Sequence, residues 1–131
     1  MNRIPVFISF DFEHDSSIKD QLVSEWQKDQ CPIWIKDYSL PGPVNEGRWQ
    51  SEAGKRIELA KVVLVICGKN THSADGVKIE VQMARQKEKP VLFLKGLKEG
   101  ASLPTGVAKT ERMIPLDWAS VYEELKPLAN R

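Results

Sequence analysis

The segment Gly68–Glu80 (GKNTHSADGVKIE) brings together residues whose types and spacing could do chemistry. It follows the most apolar run in the chain, Val62–Cys67 (VVLVIC), stays small and polar through Ser73, and then takes on helical periodicity. Glu80 is the first carboxylate well inside that helix. A buried strand, a polar turn and a helix start with one acid set behind the turn is a common way to build a ligand site in an α/β fold. On a helical wheel Val77, Val81 and Ala84 define the core direction, and Glu80 falls about 60° away from it. One turn earlier stands Gly76, which has no side chain to shield the acid. A carboxylate on the border of the core, over a polar turn, can reach a ligand, and partial burial raises its pKa. The plainer reading makes Glu80 a surface residue paired with Lys78 or Lys87, or with nothing. Position alone leaves both readings open.

The elements that must hold this acid can be read in chain order. Ile4–Phe10 is a short, β-rich apolar run and reads as a first strand, with Pro5 expected at its first residue or in an unpaired position. Asp11–Ser17 reads as a polar loop with Asp15, Ser16 or Ser17 as N-cap candidates. Ile18, Leu22, Val23 and Trp26 then predict a helix over about 17–29. Ile33–Ile35 is a short second strand, and Asp37–Gly47 (DYSLPGPVNEG) a long loop. A second helix carries Trp49, Ala53, Ile57 and Ala60 on one stripe. Val62–Cys67 is strand three, about 75–87 helix three, Pro90–Leu94 strand four and Met113-Ile114 a weak strand five. Lys95–Thr110 shows no clear period and reads as irregular. Asp117 caps a last helix with Trp118, Val121, Tyr122, Leu125 and Leu128 on its apolar side. Strands alternating with helices at this spacing predict one flavodoxin-like three-layer α/β domain spanning 1–131. Its parallel sheet has five strands in the order 2-1-3-4-5, with helices on both faces. Ligands of such sheets bind beyond the carboxyl ends of the strands, between strands one and three. There the loops Ser9–Ser16, Asp37–Gly47 and Gly68–Asp75 would meet.

Several functions common to this architecture fit poorly. A phospho-receiver needs an aspartate ending strand three and a lysine near strand five; the chain has Cys67-Gly68 and Met113-Ile114-Pro115 at these places. The acidic Asp11–Asp15 stretch would repel the phosphate of a flavin nucleotide. There is no dinucleotide fingerprint, no Walker loop, no nucleophile elbow and no His/Cys/Asp set with metal spacing. A net charge of +1 on 131 residues, 28% charged and 41% hydrophobic, gives no global field for nucleic acid. No apolar run approaches the ~18 residues of a membrane span. Asp11 arrives too soon for a signal peptide. Cys31 and Cys67 form no disulfide framework. The expected location is therefore the cytoplasm.

An ordered set of residues resembles a known family. Val6–Phe10 (VFISF), the stripe leading to Ile57 and Ala60, Val63–Ser73 (VLVICGKNTHS), Glu80, Ala84 and the strand after Lys89-Pro90 are similar to the TIR-like proteins of the Thoeris antiphage type. The resemblance covers about 4–95 and rests most on the strand Val62–Cys67, its GKNTHS turn and the glutamate in the next helix. It implies a flavodoxin-like fold and cleavage of NAD at the nicotinamide–ribose bond, with NAD as substrate and no separate cofactor. It also implies Glu80 as the catalytic carboxylate, and a pocket lined by Ser9, Phe10 and Asp11 after strand one and by Asn70, Thr71, His72 and Ser73 after strand three. The loop Asp37–Gly47 corresponds to one that mediates self-assembly in the family, and the product would act as a nucleotide signal on a separate effector protein. One departure stands out: the position four before the glutamate, aromatic in most of the family, is Gly76.

The individual residues keep more than one reading. Phe10 either stacks on nicotinamide or caps the sheet. Ser9 and Asp11 either bond ribose hydroxyls or cap the first helix. Asn70, Thr71 and Ser73 either offer hydrogen bonds to the pyrophosphate at the helix start, or the turn is plain capping by Ser73 or Asp75. His72 either touches the adenosine side or faces solvent, and Tyr38 and Trp49 either wall the pocket or, for Trp49, join the core. Two rival functions also remain open: a non-catalytic interaction module docking through Leu40 and Val44, and an N-glycosidic enzyme of the nucleoside deoxyribosyltransferase kind, which also uses one glutamate.

Overall fold

The computed structural model describes residues 3–26, 34–37, 46–96, 100–104, 112–115 and 117–129. Its elements in chain order are β1 (Arg3–Ser9), α1 (Phe12–Trp26), β2 (Trp34–Asp37), α2 (Glu46–Leu59), β3 (Val62–Cys67), α3 (Asp75–Gln86), β4 (Val91–Lys95), β5 (Met113–Pro115) and α4 (Trp118–Ala129). A single turn of 3-10 helix, Thr71–Ser73, stands between β3 and α3. The strands form one sheet of order β2-β1-β3-β4-β5, every pair parallel.

Strand parity explains the layers. Side chains alternate along a strand, so Ile4, Val6 and Ile8 leave β1 on one side and Phe7 on the other. The first set joins Leu64, Ile66, Leu94 and Ile114 under α1 (Leu22) and α4 (Val121, Leu125). The second joins Val63, Val65, Cys67 and Phe93 under α2 (Ala53, Ile57) and α3 (Val77, Val81, Ala84). β3 is buried along its whole length because both its faces are covered. Each Val, Ile or Leu it buries contributes about 1.5–3 kcal/mol relative to exposure.

Expectations change at the starts of α1 and α2, while Pro5 takes the unpaired position expected of it. α1 begins at Phe12, not near Ser17, because the Asp11 carbonyl already accepts the backbone N–H of His14 (3.2 Å) and of Asp15 (2.7 Å). Asp15 is therefore a helical residue and no N-cap. Pro5 sits inside β1 opposite Lys36. The β1–β3 ladder starts only at Val6, and the Pro5 carbonyl accepts from the Lys61 N–H at 2.8 Å. α2 begins at Glu46, inside the expected loop. Tyr38, Leu40 and Val44 of that loop lie outside the described residues, as does Cys31. At the last helix Asp117 caps as expected: its carboxylate accepts from the Ser120 N–H at 2.8 Å and from the Ser120 hydroxyl at 3.0 Å.

Candidate active site

β1 and β3 are neighbours at the centre of the sheet, and their following helices cover opposite faces. The chain thus diverges at their carboxyl ends, where an open α/β sheet offers its crevice. Ser9 ends β1. Parity points it to the side of Phe7, which is the side of α3. Glu80 descends from the second turn of α3 onto the same spot. The Ser9 hydroxyl donates to Glu80 Oε1 at 2.6 Å, and both residues are buried, Ser9 at 1% exposure and Glu80 at 8%. Desolvation pushes the Glu80 pKa up to about 7, and the Ser9 hydrogen bond, which favours the ionised form, holds it from rising further. The surface-residue reading of Glu80 is corrected: Lys87 pairs with Glu58 at 3.1 Å instead.

The turn after β3 is held from within. Thr71 is fully buried; its hydroxyl accepts from the Gly68 N–H at 2.7 Å and donates to the Ile66 carbonyl at 3.4 Å. The Ser73 hydroxyl donates to the Asn70 carbonyl at 3.3 Å. Ala74, not Ser73 or Asp75, occupies the N-cap of α3, with no side-chain cap. The capping readings of Ser73 and Asp75 are therefore corrected, and Thr71 serves the turn's own backbone. His72 is exposed but engaged: its N–H donates to the Ser102 hydroxyl at 2.9 Å, and its Nδ1 lies 3.2 Å from that oxygen and from the Lys69 carbonyl. Ser102 also gives its N–H to the Gly68 carbonyl at 3.0 Å. This anchor lies in the stretch that reads as irregular, and no periodic signal marks it.

Beneath the same turn lies Asp15, 4% exposed. A Cβ on Gly68 would fall on its carboxylate, 2.7 Å from Cγ, so any other residue there must displace that buried group. Burial first, and the nearby Asp11 charge second, raise the Asp15 pKa; His14 and the Thr71 hydroxyl lower it. Its Oδ2 has no hydrogen-bond partner among the described residues. Cys67 is buried and free, and desolvation, with Asp15 adding, pushes its thiol up to about 12, which removes it as a nucleophile.

Of the residues expected after β1, Asp11 pairs with His14 Nδ1 at 2.6 Å. Phe10 packs against the α1/α4 layer with the Lys19 ammonium 6.0 Å from its ring. It therefore sits on the opposite side of the sheet from Glu80. Trp49, in the first turn of α2, is half-buried against the α2/α3 layer. Glu80 and Ser9 are thus brought into contact, Asn70–Ser73 form the adjoining turn, and Tyr38 lies outside the described residues. Among those residues no group of three or more His, Cys, Asp or Glu could hold a metal ion, and no helix is long and apolar enough to cross a membrane. The site offers one carboxylate that ionises near neutrality, oriented by a hydroxyl. That set suits electrostatic stabilisation of a developing cation.

Comparison with known proteins adds the family. The family model described as Thoeris protein ThsB, TIR-like domain, matches residues 7–98. Among solved structures, the TIR domains of the activated Roq1 resistosome directly recognizing the pathogen effector XopQ superpose with a TM-score of 0.50 at 19% identity. The match covers 70% of this chain and 56% of that one, little more than half of its length. It supports the fold alone. No curated protein matches the chain.

Proposed function

Because the chain belongs to the TIR-like domain family of the Thoeris protein ThsB, we propose that it cleaves NAD at the nicotinamide–ribose bond, with Glu80 as the catalytic carboxylate. The observation that carries this reading is the Ser9–Glu80 pair: a buried acid at the β1/β3 divergence, held by a 2.6 Å hydrogen bond, whose charge is available at neutral pH. In the reaction the C1′–N bond breaks and its electron pair leaves with nicotinamide, which departs neutral and needs no proton. The ribose is left as an oxocarbenium ion. Ionised Glu80 stabilises that charge, a contribution of about 3–4 kcal/mol for one well-placed group. A water or a hydroxyl of the ADP-ribose then adds to C1′ and loses its proton. The product is linear or cyclic ADP-ribose, which signals to a separate effector or leaves NAD depleted in antiphage defence. The reaction runs in the cytoplasm, with copies assembling through the Asp37–Gly47 loop.

The test is to incubate concentrated protein with NAD and resolve the products by chromatography. Wild type should release nicotinamide, and Glu80→Gln, with fold intact by circular dichroism, should not. Equal turnover in the two proteins rejects the role of Glu80. No release by wild type at any concentration leaves the interaction-module reading, and free base from deoxynucleosides points to the deoxyribosyltransferase-like one.

A further inference from the structure

The turn after β3 is also clamped from outside, by residues that follow β4. Gly96, next after that strand, gives its N–H to the Cys67 carbonyl at 2.9 Å. A Cβ on Gly96 would stand 3.0 Å from that carbonyl oxygen and 3.1 Å from the Ile66 Cγ2, so the close approach favours glycine. Gly100 has a φ of 82°, a left-handed conformation that glycine adopts without strain. Two residues later Ser102 reaches the same turn. Its N–H donates to the Gly68 carbonyl at 3.0 Å. Its hydroxyl accepts from the His72 N–H at 2.9 Å. The same oxygen lies 3.2 Å from the Gly68 carbonyl, 3.4 Å from the Lys69 carbonyl and 3.2 Å from His72 Nδ1. A hydroxyl has one proton and two lone pairs. Ser102 therefore commits its proton to Gly68 or Lys69 and a lone pair to His72, all on one turn. Ala101 and Leu103 on either side pack, partly buried, against the α2/α3 layer, and Pro104 is buried, which fixes the backbone that carries the hydroxyl.

The two ends of the turn are held differently. Thr71 ties the near end back to Gly68 and Ile66. At the far end α3 begins after Ala74 with no side-chain cap, so no cap of its own fixes the backbone there. Ser102 supplies that hold through the His72 N–H. Glu80 does not depend on it: the acid is fixed by its Ser9 hydrogen bond and by Val77 and Val81 in the core. We propose that Ser102 is a positioning residue for substrate binding, holding the Lys69–His72 backbone in the shape that receives the nucleotide while Glu80 keeps the chemistry. The proposal rests on the reading that this turn faces NAD. It divides the site into a wall set by Ser102 and an acid set by Ser9, so loss of the Ser102 hydroxyl loosens binding and spares the chemical step.

The experiment uses the full chain, with NAD turnover and with ADP-ribose binding followed by ligand-observed NMR. Ser102→Ala should raise KM for NAD and weaken ADP-ribose binding about five- to tenfold, the scale of one or two lost hydrogen bonds, with kcat close to wild type. Ser102→Thr keeps the hydroxyl and should restore both. A serine that serves folding alone would lower Tm in Ser102→Ala and leave KM and ADP-ribose binding unchanged; that result overturns the proposal, as does a loss confined to kcat or no rescue by threonine. Amide hydrogen exchange reads the clamp without activity. The His72 amide should be protected in wild type and in Ser102→Thr and exchange faster in Ser102→Ala; equal exchange in the three overturns the clamp. If ADP-ribose binds in a Ser102-dependent way but NAD stays intact, the positioning role stands and the cleavage reading falls. If NAD is cleaved with Glu80 required and Ser102→Ala keeps the wild-type KM, the reverse holds. Neither binding nor cleavage by wild type overturns both.

Discussion

Two carboxylates are buried at the carboxyl edge of the sheet, carried by helices on opposite faces. Glu80 comes from α3 and Asp15 from α1. Desolvation is the first cause of a raised pKa in both. Their surroundings then differ. Glu80 accepts a hydrogen bond from the Ser9 hydroxyl that ends β1. Asp15 is wedged against Gly68, with one oxygen unpartnered and the Asp11 charge nearby. Burial alone therefore does not mark an acid as chemical. Surroundings do: one acid is oriented by the hydroxyl that ends β1, while the other lies under a turn that it helps to shape.

The largest expected difference is in turnover. Glu80→Gln should lower kcat for NAD cleavage by about 10²–10³-fold, while Asp15→Asn, of the same shape change, should stay within a few-fold of wild type. A matching loss in both would erase the distinction. Steady-state nicotinamide release decides it.

Stability sharpens the contrast next. The Glu80 pKa is about 7 in the folded chain against an ordinary value of 4.5. Between these values the folded state binds more protons than the unfolded one, so stability falls as pH rises through the window. The penalty is absent below pH 4.5 and complete above about pH 7, where it reaches about 3 kcal/mol. Glutamine cannot ionise yet can still accept from Ser9. Glu80→Gln should therefore gain nothing at pH 4 and unfold at clearly higher urea at pH 8. Asp15→Asn should show the same sign.

The two glycines beside these acids should respond in opposite directions. Gly68→Ala drives a methyl into Asp15 and should destabilise by roughly 1–3 kcal/mol, partly relieved when Asp15→Ala is added. Gly76→Ala meets only ordinary contact and should stabilise by about 0.5–1 kcal/mol. Urea midpoints of the four proteins make the comparison. The smallest effect is expected at Ser9→Ala. Losing the donor raises the Glu80 pKa further, so the pH–rate profile should move to the alkaline side while the plateau at high pH changes little.

The sequence carried the frame of this site because its signals are local. The run Val62–Cys67 can only be buried on both faces, the spacing of Val77, Val81 and Ala84 sets the inner face of α3, and that face puts Glu80 on its border. Asp117 before a helical stripe is a capping signal, and it caps. What escaped was set by distant chain. Asp15 reads as a loop residue because Asp11–Ser17 is polar at every position but Phe12. Its burial depends on Gly68 and Thr71 folding over it, and the start of α1 right after β1 depends on the Asp11 carbonyl taking up the first helical bonds. Strand parity gives the side to which Ser9 points, but not that α3 would lie there with Glu80 in reach. The Ser102 anchor sits in a stretch without period, and Phe10 went to the far face by the same parity that brought Ser9 to the near one.

The central claim is that the ionised form of Glu80 performs the cleavage, and the pH dependence of kcat/KM for nicotinamide release tests it most directly. The free enzyme should lose activity as pH falls through about 7, tenfold per unit below that value, and Glu80→Gln should give a flat, near-background line. A wild-type profile that is flat from pH 5 to 9, or one that Glu80→Gln reproduces, would contradict it.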